Sequence, residues 1–443
     1  MVSRRSLLAG ATTLVATAFA EVPATAAAEK NFPAPLTPEA RARRVDWLDR
    51  NAAALRSIEF SDDDFSDLDP LRRAVGSARI VLLGEQSHGD GTTFVAKSRL
   101  VRFLHAKMGF DVLAFESGFY DMPEAWKQIR GGKPVRSAIR NGLYEHWSLS
   151  AEMRPLIDYI GEQAGKDRPL ELTGFDLKFT KFGPTEVTKQ LATFLNENGV
   201  DTGSIGGWAR FSGVLDNLSD GSKFGWFRPS EEDHRVVVST ADALIGRLAT
   251  ITTADAAYWR QLLKSIKSLN EWLLKLDLRN DGDVDQLMRR DIPMGDNLAW
   301  LARDRYPQRK IIVWAASLHT MRNFHLMGPS VKDARLMGDL VWDAFGEETY
   351  SIGFTAYQGA RGWVGQPETP IPRADADSLE GLWGAAGQSN SFLDLRKVVS
   401  GGNWLDQPIV SSLVNGEPYL IYVRKHFDAV FCIRTMHRST WAK

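Results

Sequence analysis

The chain is poor in cysteine. Cys432 is the only one among 443 residues, so no intrachain disulfide can form, and zinc sites built from two or more thiolates are excluded. It has no surplus of either charge. Its 54 Lys and Arg face 55 Asp and Glu, a formal net charge of -1. A protein that tracks a phosphate backbone wants a basic surface, and no nucleic-acid partner is expected here. Tandem repeats and low-complexity tracts are missing, as is any long apolar run beyond the N-terminus, so no stable membrane anchor is expected. The chain also lacks a G-x-S-x-G nucleophile elbow, an H-E-x-x-H pair and a P-loop. What is there is ordinary: 44% hydrophobic, 25% charged and 10% aromatic residues. That composition suits a folded globular protein, with room for two or three domains or one large domain carrying an insertion.

The N-terminus reads as an export signal. Arg4-Arg5 is followed by an uncharged stretch over residues 7–20, then by the small-residue sites Ala24-Thr25-Ala26 and Ala26-Ala27-Ala28. A charged start, a short apolar run and small residues are the parts of a secretory signal. The paired arginines give it a twin-arginine character. The expectation is a signal over residues 1–28, delivery by the twin-arginine machinery, and a periplasmic or secreted mature protein.

Beyond the signal, strand and helix patterns alternate. Arg79-Ile80-Val81-Leu82-Leu83 is a buried strand. A helix follows over 94–108 and stops at Gly109. Val112-Leu113-Ala114-Phe115 is a second strand, so these three form a βαβ unit with parallel strands. Helical patterns cover 123–142 and 150–165. Residues 170–175 and 311–315 are further strands, as are 350–357, 419–423 and 430–434. Cys432 falls inside the last of these and reads as core. A polar first segment, 31–69, holds a short helix and the acidic run Ser61 to Asp67, expected as a solvated loop. Between the third and fourth strands lies a long helical stretch over 184–198, 231–274 and 283–305, too long for one crossover. The fold expected is therefore α/β: a mostly parallel central sheet flanked by helices, with an inserted helical subdomain. Its parts are a core over 29–180, a helical insertion over 181–306 and a second core part over 307–443. Two Gly-rich stretches carry aromatics, 203–230 and 359–404. They are candidate apolar binding walls, with Trp208 and Trp226 as candidate substrate contacts.

Reactive side chains fall at strand ends. Gly84-Glu85-Gln86-Ser87-His88-Gly89 follows the first strand, and Glu116 ends the second. Asp176 follows the third, and His319 lies just beyond the fourth. The ends of parallel strands share one edge, and ligands bind in the crevice outside it. Glu85, His88, Glu116, Asp176 and His319 can therefore converge. Carboxylates hold a histidine in its basic tautomer and stabilise its cation, which suits proton transfer.

The residues also resemble a known family. Leu83-Gly84-Glu85-Gln86-Ser87-His88-Gly89, then Lys97, then Gly109-Phe110-Asp111-Val112-Leu113-Ala114-Phe115-Glu116, is similar to the opening block of the erythromycin esterase family. Gly174-Phe175-Asp176, Arg290-Asp291 with Met294 and Asn297, Met337-Gly338, Tyr350 to Phe354 and Phe427 to Val430 match later blocks in order. The resemblance implies an active site of Glu85, His88, Lys97, Glu116 and His319. It implies hydrolysis of a carboxylic ester or lactone, a small-molecule substrate, by histidine-activated water with no cofactor and no metal. Lys97 or Arg290 would stabilise the oxyanion. One motif departs: where the family reads Trp-Ala-His-Asn-x-His, this chain has Trp314-Ala315-Ala316-Ser317-Leu318-His319. Its first histidine is gone, and His146 and His325 are the candidates to replace it. Two rival readings follow: a metal-dependent hydrolase using the same His and Glu cluster, or a ligand-binding homologue without catalysis.

Overall fold

The computed structural model describes residues 32–280, 283–399 and 403–442. The expected signal, residues 1–28, lies outside them. An eight-stranded sheet organises the chain. Its strands are β1 (Ala53–Leu55), β2 (Ile80–Leu83), β3 (Phe110–Gly118), β4 (Glu171–Asp176), β5 (Lys310–Trp314), β6 (Thr349–Ala356), β7 (Asn390–Asp394) and β8 (Ala429–Ile433). Their spatial order is β1-β7-β8-β6-β2-β5-β3-β4. From β8 to β4 every pairing is parallel. Only β7 runs against its neighbours. The sheet is thus mostly parallel and flanked by helices, as expected.

Period-2 alternation sends successive side chains to opposite faces, and two apolar clusters result. Val81, Leu83, Leu113, Phe115, Ile312 and Trp314 face one side, with the helices Gly91–Met108 and Arg154–Gln163 packed there. Ile80, Leu82, Val112, Ala114, Ile311 and Val313 face the other, under the helices Val187–Glu197 to Val284–Trp300. The helices between β4 and β5 therefore share a core with the sheet. Gly109 ends the first helix in the left-handed conformation expected of a C-terminal glycine, at φ 78°.

Several expectations change. β2 and β3 are parallel but not neighbours, because β5 inserts between them. The stretch 231–274 is two helices, Glu231–Leu248 and Ala254–Lys275. Tyr419–Ile421 pairs with Ile409–Ser411 in a separate ribbon and does not join the central sheet. Trp208 opens a helix, Trp208–Leu218, inside a segment read as loop. Strands β1 and β7 had not been expected. β1 is a short edge strand and β7 lies next to it, paired on both sides, and the sequences of both lack a long branched run. The acidic run is not merely solvated: Asp67 receives two hydrogen bonds from the buried Arg99 at 2.8 and 3.0 Å, and Asp62 pairs with Arg56 at 2.7 Å. Cys432 is core, as read.

Candidate active site

Four strands are in register near one edge, where β2 and β5 end and β3 and β4 run on by two or three residues. Leu83 lies opposite Trp314, Trp314 opposite Phe115, and Phe115 opposite Gly174. One to five residues further on come Glu85 and His88, Glu116, Asp176, and Ala316 and His319. Gly84 permits the close approach of two of these loops, since a Cβ there would sit 2.6 Å from Ser317 Oγ. The structure joins all five expected residues in one network at this edge of the sheet.

His88 and Glu85 form one arm. Asp90 folds the loop by accepting the Ser87 N–H at 2.9 Å. Glu85 is fully buried. Its Oε1 lies 2.8 Å from His88 Nδ1 and accepts the Trp147 indole N–H at 3.1 Å. Its Oε2 accepts from Lys97 Nζ at 2.7 Å. Lys97 is buried too, and its ammonium sits 4.1 Å over the Trp314 ring and also donates to the Ala315 carbonyl at 3.4 Å. Burial pulls its pKa down to about 8 against the opposing pull of Glu85. The ammonium therefore anchors Glu85 and does not reach into the crevice, which corrects its expected role as an oxyanion donor. The His88 ring keeps 13% of its surface exposed, and its Nε2 is 4.0 Å from Glu116 Oε1.

His319 forms the other arm. Its Nδ1 lies 2.9 Å from Asp291 and its Nε2 lies 3.2 Å from Glu116 Oε1. Burial disfavours its cation, but Asp291 and Glu116 outweigh burial and lift its pKa to about 10. The two carboxylates favour the imidazolium form, while Arg290 Nη1 also approaches the same Nε2 at 3.3 Å. Glu116 Oε1 also accepts from Arg290 Nη2 at 2.8 Å, so it bridges two cations, and its Oε2 accepts the Ala316 N–H at 2.9 Å. Burial would raise the Glu116 pKa, yet His319, Arg290 and His88 hold it well below the usual carboxylate range. Arg290 Nη2 is fixed from the other side by Asp176 Oδ2 at 2.7 Å, an oxygen that also accepts from Tyr144 at 3.1 Å. Asp176 is thus an anchor within the protein, its oxygens taken by protein donors.

Ala316 is half-buried and borders the crevice where the family motif has a ring. His146 does reach His88: the two rings stack with centroids 4.5 Å apart. His325 is exposed on the short helical turn Phe324–Met327. Trp208 packs against Phe211 in the helical cluster, and Trp226 is 66% exposed. Among the described residues, no hydrogen bond or ring contact joins either tryptophan to the His and carboxylate network. Asp291, Trp147 and Tyr144 had not been assigned to the site. Each had a signal by adjacency: Asp291 follows Arg290 in the quoted helix motif, and Tyr144 and Trp147 flank the candidate His146. Among the described residues, no three His, Cys, Asp or Glu side chains are grouped to hold a metal ion. The carboxylates are matched instead with Lys97, Arg290 and His319.

Sheet and site define a class: an α/β protein with a histidine–carboxylate cluster at the ends of parallel strands. The erythromycin esterase family model matches residues 105–436. The chain belongs to that family and is a hydrolase of its kind. It is 27% identical to the Bacillus subtilis (strain 168) protein named Putative hydrolase YbfO, over 90% of this chain and 92% of that one. It is 22% identical to erythromycin esterase type II of Escherichia coli, over 85% and 94%. Among solved structures, a Bacillus cereus protein superposes with a TM-score of 0.76 at 21% identity, covering 92% of this chain and all of that one. A histidine-to-asparagine variant of the erythromycin esterase EreC, in its open conformation, gives 0.63 at 18%, covering 87% and 98%. At these identities the superpositions speak to fold.

Proposed function

We propose that this chain hydrolyses a carboxylic ester or lactone with water activated by His88. One observation carries the reading: His88 is anchored on one side only. Glu85 at 2.8 Å holds the proton on Nδ1, and the nearest carboxylate oxygen to Nε2 is 4.0 Å away. A base needs a free lone pair and an orienting partner, and His88 has both. In the reaction, Nε2 takes a proton from water while the water oxygen bonds to the substrate carbonyl carbon. Negative charge gathers on the carbonyl oxygen, beside the Arg290 and His319 cations. The carbon–oxygen bond to the alcohol then breaks, and the alkoxide takes the proton back from His88. Substitution of His88 by Ala is expected to lower kcat/KM roughly 10²–10⁴-fold, the span of general-base catalysis, with the circular dichroism spectrum unchanged. Full activity in that variant would sink the assignment. An ester and lactone panel, assayed with and without chelator, separates this reading from the metal-dependent one.

The half-buried Ala316 supports a substrate other than the one suited to a second imidazole at that position. The reading includes export, supported by Arg4-Arg5, the apolar stretch after them and the A-x-A sites. Replacing both arginines with lysine should stop the protein from appearing in the periplasmic fraction.

A further inference from the structure

One side of the His88 ring is walled by aromatics that the ester chemistry does not use. His146 stacks on it at 15°, and Trp147 meets its edge at 5.0 Å. Trp363 stands 5.9 Å from His88 and 5.2 Å from His146. Ring nitrogens carry their lone pairs in the ring plane, so stacked imidazoles cannot exchange a proton directly. The contact is packing. His146 and Trp147 are buried, and only Trp363, half-buried, keeps surface that a ligand could touch.

Trp363 is held there by parts of the chain far from it. It follows the strand Gly359–Arg361 in a hairpin closed by Thr369–Ile371. Gly362 N donates to the Gly89 carbonyl, the residue after His88, at 3.1 Å. Ser439 N donates to the same carbonyl at 3.0 Å, and Arg438 Nη2 donates to the Trp363 carbonyl at 3.0 Å. The fit is tight: a Cβ on Gly89 would lie 2.5 Å from Gly362 C, and one on Gly91 2.5 Å from Arg438 O. The catalytic loop, the hairpin and residues 438–439 are thus stitched backbone to backbone, which fixes the indole beside His88.

We propose that Trp363 determines specificity, giving the site an apolar wall that selects esters carrying an extended apolar group beside the scissile bond. This rests on His88 being the base of an ester hydrolase. Two substrate series test it, p-nitrophenyl acetate to octanoate and ethyl to octyl acetate. The wild type should favour the longer chain in at least one series. Trp363→Ala should lose about 10-fold in kcat/KM for the long ester, mainly through KM, and far less for the short one. Trp363→Phe should keep most of the preference, and Arg438→Ala, which leaves the indole intact, should weaken it less. Equal fractional loss at every chain length, or no loss, would overturn the proposal. A second readout needs no turnover. Octanoate should slow carbethoxylation of His88 by diethyl pyrocarbonate, followed by peptide mass spectrometry, in the wild type but not in Trp363→Ala. If the wild type cleaves no ester, the ester reading fails by itself. Absence of octanoate protection in the wild type would overturn the role of Trp363.

Discussion

The two histidines of the crevice are the same residue set in opposite circumstances. His88 has one nitrogen tied to Glu85 and the other 4.0 Å from a carboxylate oxygen. His319 is gripped at both nitrogens, by Asp291 and Glu116. The first has the arrangement proposed for a base; the second sits where two carboxylates favour its cation. An imidazole's role is decided by how many of its nitrogens its neighbours occupy, and with what charge.

Substitutions can break this contrast. The largest effect is expected on activity: His88→Ala should fall by roughly 10²–10⁴-fold, whereas His319→Gln, which removes a cation but no base, should fall by about 10-fold when assayed on the same ester. Comparable losses would erase the distinction. Next comes stability. Lys97→Met leaves Glu85 buried without its cation and should cost about 3–5 kcal/mol in denaturant unfolding. Adding Glu85→Gln should recover part of that loss, because the unpaired charge is gone. The smallest effect concerns pH. The His319 pKa is raised in the fold to about 10, so its charge contributes stability fully below the unfolded value of about 6.5. That contribution is lost as pH rises through the folded value. The stability gap between wild type and His319→Gln should therefore be flat in mild acid and shrink from about pH 7 to pH 10. A gap that grows with pH would mean His319 is neutral in the fold.

Much of the site was legible because of where residues fall relative to strands. Glu85, Glu116, Asp176 and His319 each follow an apolar run, and parallel strands bring such positions to one edge. The direction of each side chain was not legible. Lys97 matches the basic residue on the family's helix, yet its ammonium turns inward to Glu85, a choice set by the buried Trp314 face and the Ala315 carbonyl. Trp363 and His146 meet His88 only through tertiary docking. Trp208 and Trp226 carried the same compositional signal as Trp363, and nothing local distinguished them. The short strands Ala53–Leu55 and Asn390–Asp394 were missed because three to five residues hold too little periodicity to stand out.

Apolar periodicity along the chain determined the α/β class, the parallel core and the edge on which the ionisable groups gather, because burying those runs leaves few other arrangements. Partner choice at that edge belonged to the folded molecule. Whether an imidazole meets one carboxylate or two, or an ammonium faces the crevice or the core, depends on distances of an ångström or less between segments more than two hundred residues apart, and no local stretch of sequence carries that information.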